Sequence, residues 1–135
     1  MQSIFTTVRL LGGSQALAWT VHGTFVAAAA IALCVMWRSK NFSFEMKAAA
    51  LALASLLASP YLFLYDMVVL AVPTAFLIRE GRRTEFLPHE MAGIGVACLL
   101  IFVFPVVTAP VGLAAALIIA ALILRRTFLL PLRPL

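Results

Sequence analysis

Charge is what this sequence has least of. Five of its 135 residues are acidic and ten are Lys or Arg, so 11% of the chain is charged. A soluble domain is nearer a quarter charged. With 64% hydrophobic residues, the chain carries more apolar surface than a small folded interior can hide. That balance excludes water as the solvent for most of the chain and predicts lipid. Cysteine is scarce too. Cys34 and Cys98 lie far apart within apolar runs, without Cys-x-x-Cys spacing, which argues against a metal or redox centre and predicts two buried free thiols. The chain lacks a Walker A loop, a Rossmann glycine pattern, a metal motif and a nucleophile elbow, so no cofactor and no metal is expected. The net charge of +5 forms no basic stripe with interleaved aromatics, which argues against nucleic acid.

What is present is a succession of apolar runs separated by basic loops. Residues 16–37 are 22 residues without an ionised side chain, flanked by Trp19 and Trp37. That length suits about 30 Å of hydrocarbon. It is too long for the apolar core of a secretory signal. Residues 48–78 form a longer run, 31 residues with Asp66 as its one charge. One helix of that length is roughly 46 Å, and two full crossings want roughly 60 Å. Charge decides between them. Lys47 precedes the run and Arg79, Arg82 and Arg83 follow it. Two passes put these groups on one face of the membrane, as the positive-inside rule requires.

The expected fold is therefore an all-α, polytopic membrane helix bundle of about five transmembrane helices. The spans are expected near 16–37, 46–60, 62–79, 91–106 and 109–124, with a turn at 105–110 between Pro105 and Pro110. Residues 1–15 read as an amphipathic segment on the outer face, stopped by Gly12-Gly13. The N-terminus is then outside and a short basic tail cytoplasmic. Nine basic residues fall inside: Arg38, Lys40, Lys47, Arg79, Arg82, Arg83, Arg125, Arg126 and Arg133, leaving Arg9 outside.

The hairpin of 48–78 is too short for two full crossings, so its turn is expected to stop below the outer surface. Non-helical backbone at that depth is tolerated where it lines a cavity. The turn reads SPYLFLYD at 59–66. Ser59, Tyr61, Tyr65 and Asp66 are thus candidates for a substrate cavity, and Arg9 for a lipid phosphate. Each has a structural alternative. Asp66 suits the cap of the following helix. The tyrosines suit interfacial anchors, and Arg9 a snorkelling position. His22 suits a helix–helix hydrogen bond, and Pro73 a kink.

The order of motifs resembles the C-terminal part of glycosyltransferase family 87. The resemblance rests on the amphipathic MQSIFTTVRLLGG, a span, a basic loop, ASPYLFLYDMVVLAVPTAFLIREGRR and a hairpin ending in arginines. The strongest piece is Ser59-Pro60-Tyr61 with Tyr65-Asp66 and Pro73; at the first motif, Gln2 stands where the family usually has proline. The resemblance implies a GT-C type fold in a bacterial plasma membrane. It implies a hexosyltransferase, mannosyltransferase-like, that uses a polyprenol-phosphate-linked sugar. It also implies that the catalytic carboxylate belongs to an early outer loop which these 135 residues do not contain, so no residue here is expected to be catalytic. The chain then acts with the missing N-terminal part of such an enzyme and is inactive alone. The competing expectation is a small autonomous membrane protein, a transporter half or assembly scaffold, with Asp66 as a proton or cation site.

Overall fold

The computed structural model describes residues 3–63, 65–103 and 110–129. Among these residues the fold is all-helical. Six α-helices run α1 Ile4–Leu10, α2 Gln15–Arg38, α3 Phe44–Leu57, α4 Ala71–Thr84, α5 Glu90–Val103 and α6 Val111–Leu129. A 3₁₀ helix, Tyr65–Leu70, leads into α4.

Serine starts the first three α-helices. Ser3, Ser14 and Ser43 are N-caps whose hydroxyls accept from the amides of Thr6, Leu17 and Met46 at 3.1, 3.2 and 3.3 Å. Each satisfies an amide that has no partner within its own helix. Gly12, at φ 85°, stops α1 in a conformation that costs glycine little. α2 ends at Arg38, where the Lys47 ammonium donates to the carbonyl of Ser39 at 2.8 Å. A cation there satisfies late carbonyls and complements the helix dipole.

Among the described residues two helices, α2 and α6, are long and apolar enough to cross a membrane. α2, at 24 residues, is about 36 Å long. α3, α4 and α5 have 14 residues each, which gives about 21 Å. The run 48–78 is therefore not one helix. The chain leaves helix after Leu57 and reverses, so that α3 and α4 pack side by side. Its return limb starts as 3₁₀ rather than α-helix. Pro73 sits in the first turn of α4, where its missing N–H would have no helical partner in any case. It marks the start of α-helix within the return limb, just after the 3₁₀ segment.

α3 is the centre of the bundle and packs against α2, α4 and α6. Met46, Ala49, Leu53, Leu56 and Leu57 are its buried face, at helical spacing. They meet Met67, Leu70 and Leu77 from the return limb and Ile119 and Ile123 of α6 in one apolar cluster. α5 packs on α6, where Gly93 lets the Leu122 side chain approach: a Cβ built on Gly93 would lie 3.1 Å from Leu122 Cδ1.

α2 contributes little to that core, since its most apolar 18-residue stretch is 11% buried. Ile31, Val35, Leu99 and Phe102 are all exposed on the helical surface. Cys34 and Cys98 are exposed free thiols on these same apolar helices, which corrects their expected burial: the outward faces of α2 and α5 are as apolar as the inward ones. The expected turn at 105–110, apart from Pro110, lies outside the described residues, as do Gln2 and the tail with Arg133.

Candidate functional site

The α3–α4 hairpin has two unlike ends. One is the SPYLFLYD turn; the other gathers the basic residues.

At the turn end, distant parts of the chain converge on Pro60. The buried Ser3 hydroxyl donates to the Pro60 carbonyl, tying α1 to the turn. Phe5 of α1 lies between two aromatic rings, with centroids 4.9 Å from Trp19 and 5.9 Å from Tyr61. His22, one turn along α2 from Trp19, donates from Nε2 to the Ala58 carbonyl at 3.1 Å. A carbonyl only accepts, so this bond fixes the proton on Nε2. Nδ1 is left buried without a partner among the described residues. The His22 helix–helix bond is the one expected from the sequence. Ser3 carried no comparable signal, because a serine before an apolar run announces only a helix start.

The five sequence candidates separate. Tyr61 joins this cluster and stays half exposed. Ser59 is in the turn and donates to the Tyr61 carbonyl at 3.2 Å. Tyr65 points elsewhere: it is 70% exposed and stacks on Phe63, with centroids 5.6 Å apart and planes 15° apart. The two tyrosines therefore do not form one platform. Asp66 Oδ2 accepts from the Phe63 amide at 2.9 Å, and the Asp66 amide donates to the Phe63 carbonyl at 3.2 Å. The carboxylate thus reaches back three residues, to an amide two residues before the 3₁₀ helix. The expected forward cap is thus reversed in direction. Arg9 is exposed and donates to the Gly13 carbonyl at 3.0 Å; among the described residues no hydrogen bond or ion pair joins it to the cluster.

The basic end holds what sequence reasoning missed. Arg126 was expected as one more cytoplasmic cation. Its side chain is instead fully buried, and so is that of Glu90 at the start of α5. The guanidinium forks onto both carboxylate oxygens: Nε bonds Oε1, and Nη2 bonds Oε2 at 2.6 Å. Its remaining donors reach Thr84 Oγ1 at 2.9 Å and the Glu85 carbonyl at 3.0 Å. Glu90 also accepts from the Leu87 amide at 3.0 Å, the same backward reach of three residues that Asp66 makes. Arg125 donates to the Pro88 carbonyl. The two arginines thus hold the loop between α4 and α5, in which Glu85 and His89 adopt φ of 70° and 65°, conformations costly for residues other than glycine.

Beside this pair, Glu45 in the first turn of α3 receives Arg83 at 2.9 Å, with Arg79 at 3.7 Å. Its carboxyl is held below the ordinary carboxylate range. The first cause is a hydrogen bond from its own backbone amide; the Arg83 and Arg79 charges add to it against the opposing effect of burial.

Between the ends runs an apolar groove of about 430 Å³, walled by α2, α3 and α6 from Phe25 and Leu57 down to Met36 and Leu124. Its walls carry no titratable side chain. Among the described residues no group of three His, Cys, Asp or Glu side chains could hold a metal ion. No family model, curated protein or solved structure matches the chain.

Proposed function

We propose that this chain is a five-span membrane protein whose SPYLFLYD end forms one wall of a site for a polyprenol-phosphate-linked hexose, as its resemblance to glycosyltransferase family 87 implies. The carrying observation is the convergence at Pro60. Two of the stretches on which that resemblance rests, MQSIFTTVRLLGG and the one that begins ASPYLFLYD, are joined there by the Ser3–Pro60 hydrogen bond and the Phe5–Tyr61 ring contact. Aromatic rings offer flat apolar faces to a sugar, and the half-buried turn supplies polar backbone groups. The apolar groove begins one helical turn from His22 and suits an isoprenoid tail.

The membrane reading is supported by the outward faces. A helix of 24 residues that buries 11% of its most apolar stretch has no use for water on the rest. It is supported again by polarity. The ends of α2, α4 and α6 bring Arg38, Arg79, Arg82, Arg83, Arg125 and Arg126 to the basic end, and Arg9 lies on α1 before the first long helix. That is the asymmetry of a bacterial inner-membrane protein with its basic end in the cytoplasm. The short α3, α4 and α5 then cross with the hairpin turn drawn below the outer surface.

Within this reading the chain binds the lipid-linked sugar and supplies no catalytic base. Asp66 acts through the turn it caps. The test is binding. The chain in detergent is titrated with a polyprenyl-phosphate hexose while Trp19 fluorescence is followed. A saturable change that is lost in Tyr61→Ala and insensitive to free hexose is expected. A featureless titration at micromolar lipid sinks the proposal. The competing transporter reading predicts proton flux in liposomes that disappears in Asp66→Asn, a variant that keeps the acceptor for the Phe63 amide.

A further inference from the structure

α4 has a buried face and an outward one. Pro73, Leu77, Glu80 and Gly81 turn inward. Ala75, Arg79, Arg82 and Arg83 turn outward and, with the half-buried Ile78, line a shallow groove of about 670 Å³. The order along that face matters: small apolar residues come first, and three arginines follow within the last turns. On the membrane reading above, the apolar part lies at acyl-chain depth and the arginines lie at the cytoplasmic headgroups.

Glu45 sharpens this arrangement. From the first turn of α3 its one carboxylate engages both Arg79 and Arg83, and the Arg side chains remain 69% and 60% exposed. Two guanidinium groups on one carboxylate leave one positive charge of the pair unmatched at the rim, and Arg82 adds another. Two of the three are held at fixed spacing by Glu45. Arg82 makes no hydrogen bond or ion pair among the described residues, so its planar donor fork is free. A fixed pair of cations, a free third and a methyl-lined groove beside them match one ligand class: a phosphodiester carrying acyl chains.

We infer that the outward face of α4 is a binding site for an anionic phospholipid of the cytoplasmic leaflet, with Arg79, Arg82 and Arg83 on the phosphate and Ala75 and Ile78 along the first acyl carbons. Basic surfaces of this kind recognise acidic headgroups at the cytoplasmic boundary. The site rests on the membrane reading and is independent of any sugar site at the opposite end.

The experiment uses the whole chain, extracted in neutral detergent and examined by native mass spectrometry. Phosphatidylglycerol and phosphatidylcholine are added in turn, with inorganic phosphate as a third arm. Retention of phosphatidylglycerol over phosphatidylcholine is expected, without competition from inorganic phosphate. Arg82→Gln breaks no protein contact and is expected to weaken retention about fivefold, the effect of roughly one cation near a headgroup. Arg79→Gln with Arg82→Gln and Arg83→Gln is expected to weaken it about tenfold or more. Arg38→Gln with Lys40→Gln, on another loop of the basic end, is expected to leave it unchanged. Equal loss in that control reduces the site to diffuse attraction and overturns the proposal, as does unchanged binding in Arg82→Gln. Equal retention of phosphatidylcholine overturns it as well, and competition by inorganic phosphate overturns the lipid assignment. Alkaline carbonate washing of the source membranes separates the two claims: a chain that washes off sinks the membrane reading and this site with it, while a chain that stays but ignores phosphatidylglycerol sinks this site alone.

Discussion

Replacing Arg126 by methionine removes one side of the buried ion pair and leaves the other in place. The Arg126 side chain is 0% exposed and that of Glu90 is 1% exposed. In Arg126→Met, the Glu90 carboxylate keeps the Leu87 amide and loses both guanidinium bonds. Thr84 and the Glu85 carbonyl lose their donors in the same step. Stripping one partner from a buried pair costs about 3–5 kcal/mol, because the remaining charge is left desolvated. Arg126→Lys keeps the charge, but a point ammonium cannot reach Glu90, Thr84 and Glu85 together; roughly 1–3 kcal/mol is expected. Replacing both partners, Arg126→Met with Glu90→Leu, removes the stranded charge and is expected to recover much of the loss, to within about 2 kcal/mol of the parent. The assay is equilibrium unfolding in mixed micelles as the denaturing detergent fraction rises, with helix content read by circular dichroism. Arg126→Met within about 1 kcal/mol of the parent would refute the reasoning, since no desolvated pair could then exist. So would a double variant worse than the sum of the singles.

Other perturbations follow from single contacts. In Gly81→Ala, the new Cβ would sit 2.3 Å from the Phe86 ring, so the ring must move; a cost of about 1–3 kcal/mol is expected, largely relieved by adding Phe86→Ala. Ser3→Ala loses both the α1 cap and the Pro60 tether, and about 1–3 kcal/mol should disappear from the same unfolding curve. Glu45 has a folded pKa below its ordinary value. Its contribution is therefore present above the ordinary Glu pKa, about 4.3, and is lost as pH falls through the lower folded value. The melting-temperature gap between parent and Glu45→Gln should be open at neutral pH and close on acidification through that window; a gap that widens in acid contradicts a carboxylate stabilised by its backbone amide and the two arginines.

Much of the fold was readable because apolar length and charge position are global signals. The 31-residue run with basic groups at both ends implied a hairpin, and Glu45 beside Arg83 is that hairpin closed. The sequence also announced His22 as a helix–helix donor. Local detail was less legible. Tyr61 and Tyr65 sit in one short turn and suggest one cavity wall, but their rings diverge, Tyr61 onto Phe5 and Tyr65 onto Phe63. Asp66 caps backward because its helix opens as 3₁₀. Arg126 looked like a positive-inside marker because a sequence records that a cation follows an apolar run, and not that Glu90, 36 residues earlier, folds against it. The available hint was an acid, Glu90, placed where α5 opens.

Sidedness tests the account most directly. In a background with Cys34 and Cys98 replaced, single cysteines are placed at Leu11 and Tyr65 on one end and at Asn41 and Arg82 on the other, all exposed. Intact cells are treated with a membrane-impermeant maleimide, then again after permeabilisation. The five-span account predicts labelling of Leu11→Cys and Tyr65→Cys in intact cells, and of Asn41→Cys and Arg82→Cys only after permeabilisation. Labelling of Arg82→Cys in intact cells while Asn41→Cys stays protected would contradict it, because α3 and α4 would then cross the membrane once instead of twice.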